Sequence, residues 1–67
     1  MDREMLGRFI AQRRKELNLT QRELAEALHV TDKAVSKWER GLSYPDVTLL
    51  QPLADVFRLK VEDLLTC

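Results

Sequence analysis

Apolar residues recur along the chain at helical spacing, in five short runs separated by turn and capping residues. Leu6, Phe9, Ile10 and Leu17, with Arg13 or Arg14 between them, follow the i, i+3/i+4 pattern of an amphipathic helix. This predicts a first helix from near the N-terminus to about residue 17, where Asn18 and Leu19 turn the chain. Leu24, Ala25 and Leu28 form a second stripe. Before it, Thr20-Gln21-Arg22-Glu23 is a capping box, in which Thr20 and Glu23 satisfy each other's backbone amides. A third helix is expected over residues 32–40, capped by the Thr31 hydroxyl and stopped by Gly41, with Val35, Trp38 and the following Leu42 on one side. Pro45 keeps its predecessor out of a helix and Asp46 can cap a fourth, whose apolar face is Leu49, Leu50, Leu53, Ala54 and Phe57. Pro52 lies six residues past that cap without an amide to donate, so a kink or distortion is expected near Thr48. Val61, Leu64 and Leu65 predict one to two turns of a fifth helix. No segment has the period of a strand, so the fold class is all-α.

The second and third helices carry the chemistry. Only His29 and Val30 separate Leu28 from Thr31, too few to let the chain wander, so the two helices must meet at a steep angle, with small Ala25 allowing close approach. At roughly 100° per residue, Lys33, Lys37 and Arg40 fall within about 60° of arc with Ser36 beside them, opposite Val35 and Trp38. One face suits a core and the other suits phosphates and base edges. Such an arrangement can read a DNA groove.

With Gln21 opening it, apolar Leu24, small Ala25, apolar Leu28, Val30, Val35 and Trp38, and then Glu39 and Gly41, the segment 21–40 resembles the helix-turn-helix of Cro/cI-type (XRE family) repressors. The likeness extends over about residues 6–65. It implies one domain over residues 1–67, a compact lambda repressor-like bundle of five short helices in which helices two and three form the helix-turn-helix. The implied function is sequence-specific binding of double-stranded DNA by a transcriptional regulator, a repressor by this resemblance. The helix near 32–40 would sit in the major groove of a pseudo-palindromic operator bound by a homodimer. Where the family has a glycine in the turn, this chain has His29, among the non-glycine residues that better tolerate the left-handed backbone required. Arg58 and Lys60 replace the family's glycine and serine or threonine before helix five, which is therefore expected to fray.

Roles follow position by position. Asp32, Lys33, Ser36 and Lys37 are the candidate base readers: lysine can donate to guanine O6 or N7, and aspartate can accept from cytosine N4 or simply favour the helix dipole. Gln21, Arg22, Thr31, Arg40, Ser43 and Tyr44 are candidate phosphate contacts, Gln21 as a clamp at the start of helix two and Arg22 as the weaker of these. Arg14 and Glu39 match a family ion pair joining helix one to the end of helix three, and Arg14 can also face a phosphate. Trp38, on the Val35 side, is read as core and not as a base-stacking platform. Phe57, Leu59, Val61, Leu64 and Leu65 are the expected self-contact.

Composition narrows the alternatives. The net charge is zero, against a simple basic nucleic-acid binder, but its distribution is uneven: residues 1–22 hold six cations and three acids, whereas residues 42–67 hold two cations and four acids. His29 is the one histidine and Cys67 the one cysteine, so neither a metal site nor an internal disulfide is expected, and no cofactor. Cys67 itself is read as a loose terminal residue. Without an apolar run of membrane-spanning length, or a signal peptide in the charged first eight residues, the chain is expected to be cytoplasmic with no membrane partner. The competing reading is a protein-interaction module on the same fold, such as an antitoxin, supported by the neutral charge and acidic tail. An enzyme is not expected, because no catalytic constellation can be named.

Overall fold

The computed structural model describes residues 2–67, which form helices α1 (Arg3–Glu16), α2 (Gln21–Leu28), α3 (Asp32–Glu39), α4 (Leu50–Phe57) and α5 (Val61–Leu65). No strand occurs among the described residues. The local signals act as their chemistry requires. Asp2 accepts from the amides of Glu4 and Met5 to start α1. At α2 the capping box closes in both directions, Thr20 Oγ1 accepting from the Glu23 amide at 3.0 Å and Glu23 Oε1 from the Thr20 amide at 2.8 Å. Thr31 caps α3 by accepting from the Ala34 amide at 3.2 Å.

Pro52 produces the expected distortion, with a later helix start. Asp46 caps a single 3₁₀ turn, Val47–Leu49, by accepting from the amide and hydroxyl of Thr48, both of which hold its carboxylate below the ordinary pKa. The α-helix then begins at Leu50, which leaves Pro52 in the first turn, where no intrahelical amide is needed.

Four helices end the same way. Asn18, His29, Gly41 and Arg58 all take left-handed φ between 58° and 72°. After each, the next amide bonds back to a carbonyl five residues earlier: Leu19 to Arg14, Val30 to Ala25, Leu42 to Lys37 and Leu59 to Ala54. These are Schellman closures, which satisfy otherwise unpaired carbonyls, and only Gly41 makes one without a Cβ penalty. His29→Gly should therefore stabilise the fold by about 0.5–1 kcal/mol, net of the extra freedom that glycine gives the unfolded chain. For a domain this small that is a rise of several degrees in Tm, readable by thermal melting; an unchanged or lowered Tm would show that the imidazole makes up the difference.

The core is contiguous: Leu6, Ile10, Leu24, Ala25, Leu28, Val35, Trp38, Leu53, Ala54, Phe57 and Leu64 are all buried. Three expectations are corrected here. Leu42 is 56% exposed, because the left-handed Gly41 ends the helical period on which its inward placement depended. The fifth helix does not fray: Leu64 is wholly buried and Asp63 Oδ2 accepts from the Lys60 amide at 2.9 Å, closing the N-terminus from the acidic side alone. Cys67 is not loose. It packs against the core, its thiol donating to the Asp63 carbonyl, and burial followed by the Asp63 charge raises its pKa, which disfavours the reactive thiolate.

Candidate nucleic-acid interface

α3 presents two different sides. Inward, Val35 is wholly buried and Trp38 nearly so, fixing the rotation of the helix against α1 and α2. Outward, Lys33 and Lys37 are exposed and Ser36 is half-buried beside them; none of the three side chains has a hydrogen bond or ion pair among the described residues. Asp32 is exposed in the first turn. Arg40, at the C-cap, donates from Nε to the Ser36 carbonyl at 3.3 Å, which folds its guanidinium back along the last turn. Arg22 is exposed on the first turn of α2. Ser43 and Tyr44 follow on the loop, with Tyr44 45% exposed in a depression shared with Asp2, Arg3 and Glu4 at the start of α1.

Behind that face lies a polar network of four groups. Arg14 Nε donates to Glu39 Oε2 at 2.6 Å and Arg14 Nη2 to Glu39 Oε1 at 3.1 Å, a bidentate fork between side chains only 11% and 8% exposed. Arg14 Nη1 donates to the Leu19 carbonyl at 2.7 Å, and Gln21 Nε2 donates to Glu39 Oε1 at 2.9 Å. One guanidinium thus ties α1 to the turn before α2 and to the end of α3. The hydrogen bond to Glu39 raises the Arg14 pKa above its already high ordinary value, against the lowering effect of burial, so the guanidinium remains charged.

This geometry changes what several residues can do. Gln21, read from sequence as an outward clamp, turns its amide inward to Glu39. That contact takes one of the two Nε2 hydrogens, leaving the second and the backbone amides at the α2 N-terminus, where an anion is favoured. Arg14 spends three of its five N–H groups inside the protein, leaving one on each terminal nitrogen of a side chain that is 11% exposed. The Thr31 hydroxyl accepts from its own helix and keeps only its proton to offer outward. Phe57 and Leu64 are consumed by the intramolecular core, so of the expected self-contact only Leu65 is strongly exposed, with Leu59 and Val61 half-buried.

Two structural residues escaped the sequence reading. Arg13 donates from Nε and Nη2 to the Phe57 carbonyl at 3.1 and 2.8 Å, placing a cation on the C-terminus of α4, where the helix dipole favours it. Gly7 lies where α1 crosses the end of α3: a Cβ built there would stand 2.2 Å from the Trp38 carbonyl oxygen. Among the described residues no cluster of three or more His, Cys, Asp or Glu could hold a metal, and no helix is long and apolar enough to cross a membrane.

The helix-turn-helix family model HTH_3 matches residues 10–64. The chain is 43% identical over 49 residues to the HTH-type transcriptional activator BcrR of Enterococcus faecalis, covering 73% of this chain and 24% of that protein. It is 45% identical over 53 residues to the HTH-type transcriptional regulator DicA of Escherichia coli, covering 79% and 39%. The chain therefore spans between about a quarter and two fifths of these relatives' lengths. Its backbone is similar to that of the P22 c2 repressor solved with a synthetic operator, at 30% identity and a TM-score of 0.83, covering 88% of this chain and 89% of that one.

Proposed function

The chain belongs to the helix-turn-helix family, and from that premise we propose that it is a sequence-specific DNA-binding domain of a transcriptional regulator acting in the cytoplasm, without catalytic activity of its own. The observation that carries this reading is α3, rotationally locked by Val35 and Trp38 while Lys33, Ser36 and Lys37 stand on its open side without a side-chain partner among the described residues. Residues 31–37 enter the major groove. Lys33, Ser36 and Lys37, with Asp32, address base edges, while Arg22, Arg40, the Ser43-Tyr44 loop, the Thr31 hydroxyl and the backbone amides of α2 hold phosphates. Arg14, Gln21 and Glu39 set the angle between α2 and α3 from behind. Repression follows most simply, since occupying a promoter needs no further surface. Binding as a homodimer through the Leu65 end would place two copies on half-sites about 34–36 Å apart.

Selection from a random duplex pool tests this directly, with a pseudo-palindromic motif as the expected result. On the selected duplex, Lys37→Ala should cost about 1–2 kcal/mol, roughly five- to thirtyfold, and narrow the gap to random DNA. An equal loss on both duplexes would reassign Lys37 to a phosphate. Affinity should fall by about 0.9 logarithmic units per neutralised phosphate for each tenfold rise in salt. A flat salt response, or recovery of no motif, would overturn the DNA reading in favour of a protein partner.

A further inference from the structure

Resting on that DNA-binding reading, we propose that Arg8 and Lys15 on α1 form a second phosphate-holding track, extending the DNA contact beyond the helix-turn-helix. The two residues are seven apart, two helical turns, and so lie on one flank of α1 with Ala11 and Gln12 between them. That flank borders a shallow groove lined by Arg8, Ala11, Gln12, Lys15, Glu16 and Glu39. Glu39 links the groove to the helix-turn-helix, because it is the last residue of α3 and also accepts from Gln21, the first residue of α2. The basic flank of α1 therefore converges on the two helix ends that the proposed interface uses.

Charge points the same way. Arg8 and Lys15 are exposed and have no ion pair or side-chain hydrogen bond among the described residues, although two acids stand close by. Glu16 is engaged with Arg13 at 3.5 Å, and Glu39 is saturated by Arg14 and Gln21. Both cations thus have no partner among the described residues, beside a groove whose one largely buried acid, Glu39, is already engaged. In a chain of zero net charge this is a local excess that a polyanion running past the end of α3 would meet. The long, flexible stems suit a duplex backbone, where position matters more than geometry, and they give no basis for reading bases.

The test compares wild type with the double variant Arg8→Ala, Lys15→Ala on two probes, the selected duplex and a random-sequence duplex, across a salt series. Both sites are exposed helix positions where alanine is favourable, and an unchanged thermal melt establishes that the variant is folded. The expected result is a salt slope shallower by about 1.8, from two lost phosphate contacts, with equal fractional loss on both probes. Lys15→Arg should retain the wild-type slope. If wild type binds with a steep slope and the double variant keeps it, the track is refuted while the proposed function stands. A loss confined to the selected duplex also refutes it, since phosphate contacts carry no sequence information. If wild type binds neither duplex, both readings fall together.

Discussion

Arg14→Ala should destabilise the domain by about 2–4 kcal/mol, the largest loss expected from removing any one side-chain charge in this chain. The magnitude comes from what is stranded more than from what is deleted. An exposed ion pair contributes about 0–1 kcal/mol, because water serves both partners nearly as well. Here the Glu39 side chain is only 8% exposed and takes two of its three donors from Arg14, so removing the guanidinium leaves a desolvated carboxylate held by Gln21 alone. The Leu19 carbonyl loses its side-chain donor in the same stroke. A domain of this size has little stability in reserve, so a Tm drop on the order of 15 °C is expected, or failure to fold near physiological temperature.

Two companion variants separate the stranded charge from lost packing. Arg14→Lys keeps the positive charge but cannot form the fork, and should fall between wild type and alanine. Removing the carboxylate as well, in Arg14→Ala combined with Glu39→Gln, should recover part of the loss, since no buried charge then lacks a partner. A single Arg14→Ala variant that melts with wild type would show that Glu39 is solvated and that the network merely decorates the fold. A DNA readout adds a further distinction: with α2 and α3 no longer braced against α1, discrimination between duplexes should degrade even where the variant is folded.

What the sequence disclosed and what it concealed divide by distance along the chain. The caps at Thr20, Glu23 and Thr31, the stop at Gly41 and the disturbance ahead of Pro52 are decided by atoms within a few residues, so residue identity and spacing suffice to place them. The outward face of α3 follows equally from helical period, because Val35 and Trp38 must be buried. Leu42 was misplaced for a related reason: the same period was extended past Gly41, where the left-handed backbone breaks it. Contacts that depend on where distant elements dock were not locally visible. Arg14 and Glu39, 25 residues apart, were anticipated only through family resemblance, and nothing in the local pattern said that Gln21 would turn inward to join them. Arg13 on the Phe57 carbonyl, 44 residues away, left no sequence signal at all. The fifth helix was underrated because its stability comes from Leu64 in the core and from Asp63 reaching back, not from the missing glycine or threonine.

Gly7→Ala should destabilise the protein by about 2 kcal/mol, the opposite of what helix propensity alone predicts. Alanine in the interior of a 14-residue helix is normally worth about 1 kcal/mol over glycine. At this position, however, the added Cβ would stand 2.2 Å from the Trp38 carbonyl oxygen, and 3.0 and 3.1 Å from the carbonyl oxygen and carbon of Glu39. These are backbone atoms at the end of α3, which no rotamer change can move aside. The Trp38 oxygen is also held in place as acceptor of the Gly41 amide in the Schellman closure. Relief must come from sliding α1 away from α3, and forcing extra volume into such a packed contact costs about 1–3 kcal/mol or more, exceeding the propensity gain. The displacement has a second consequence, because Arg14 rides on the same helix two turns later and its 2.6 Å bond to Glu39 must lengthen as α1 withdraws. Gly7→Ala and Arg14→Ala should therefore be less than additive in a double-mutant cycle, each having already weakened what the other removes. Thermal or urea melts of the two single variants and the double variant measure this coupling, and a Gly7→Ala variant more stable than wild type would mean that α1 and α3 do not approach this closely in solution.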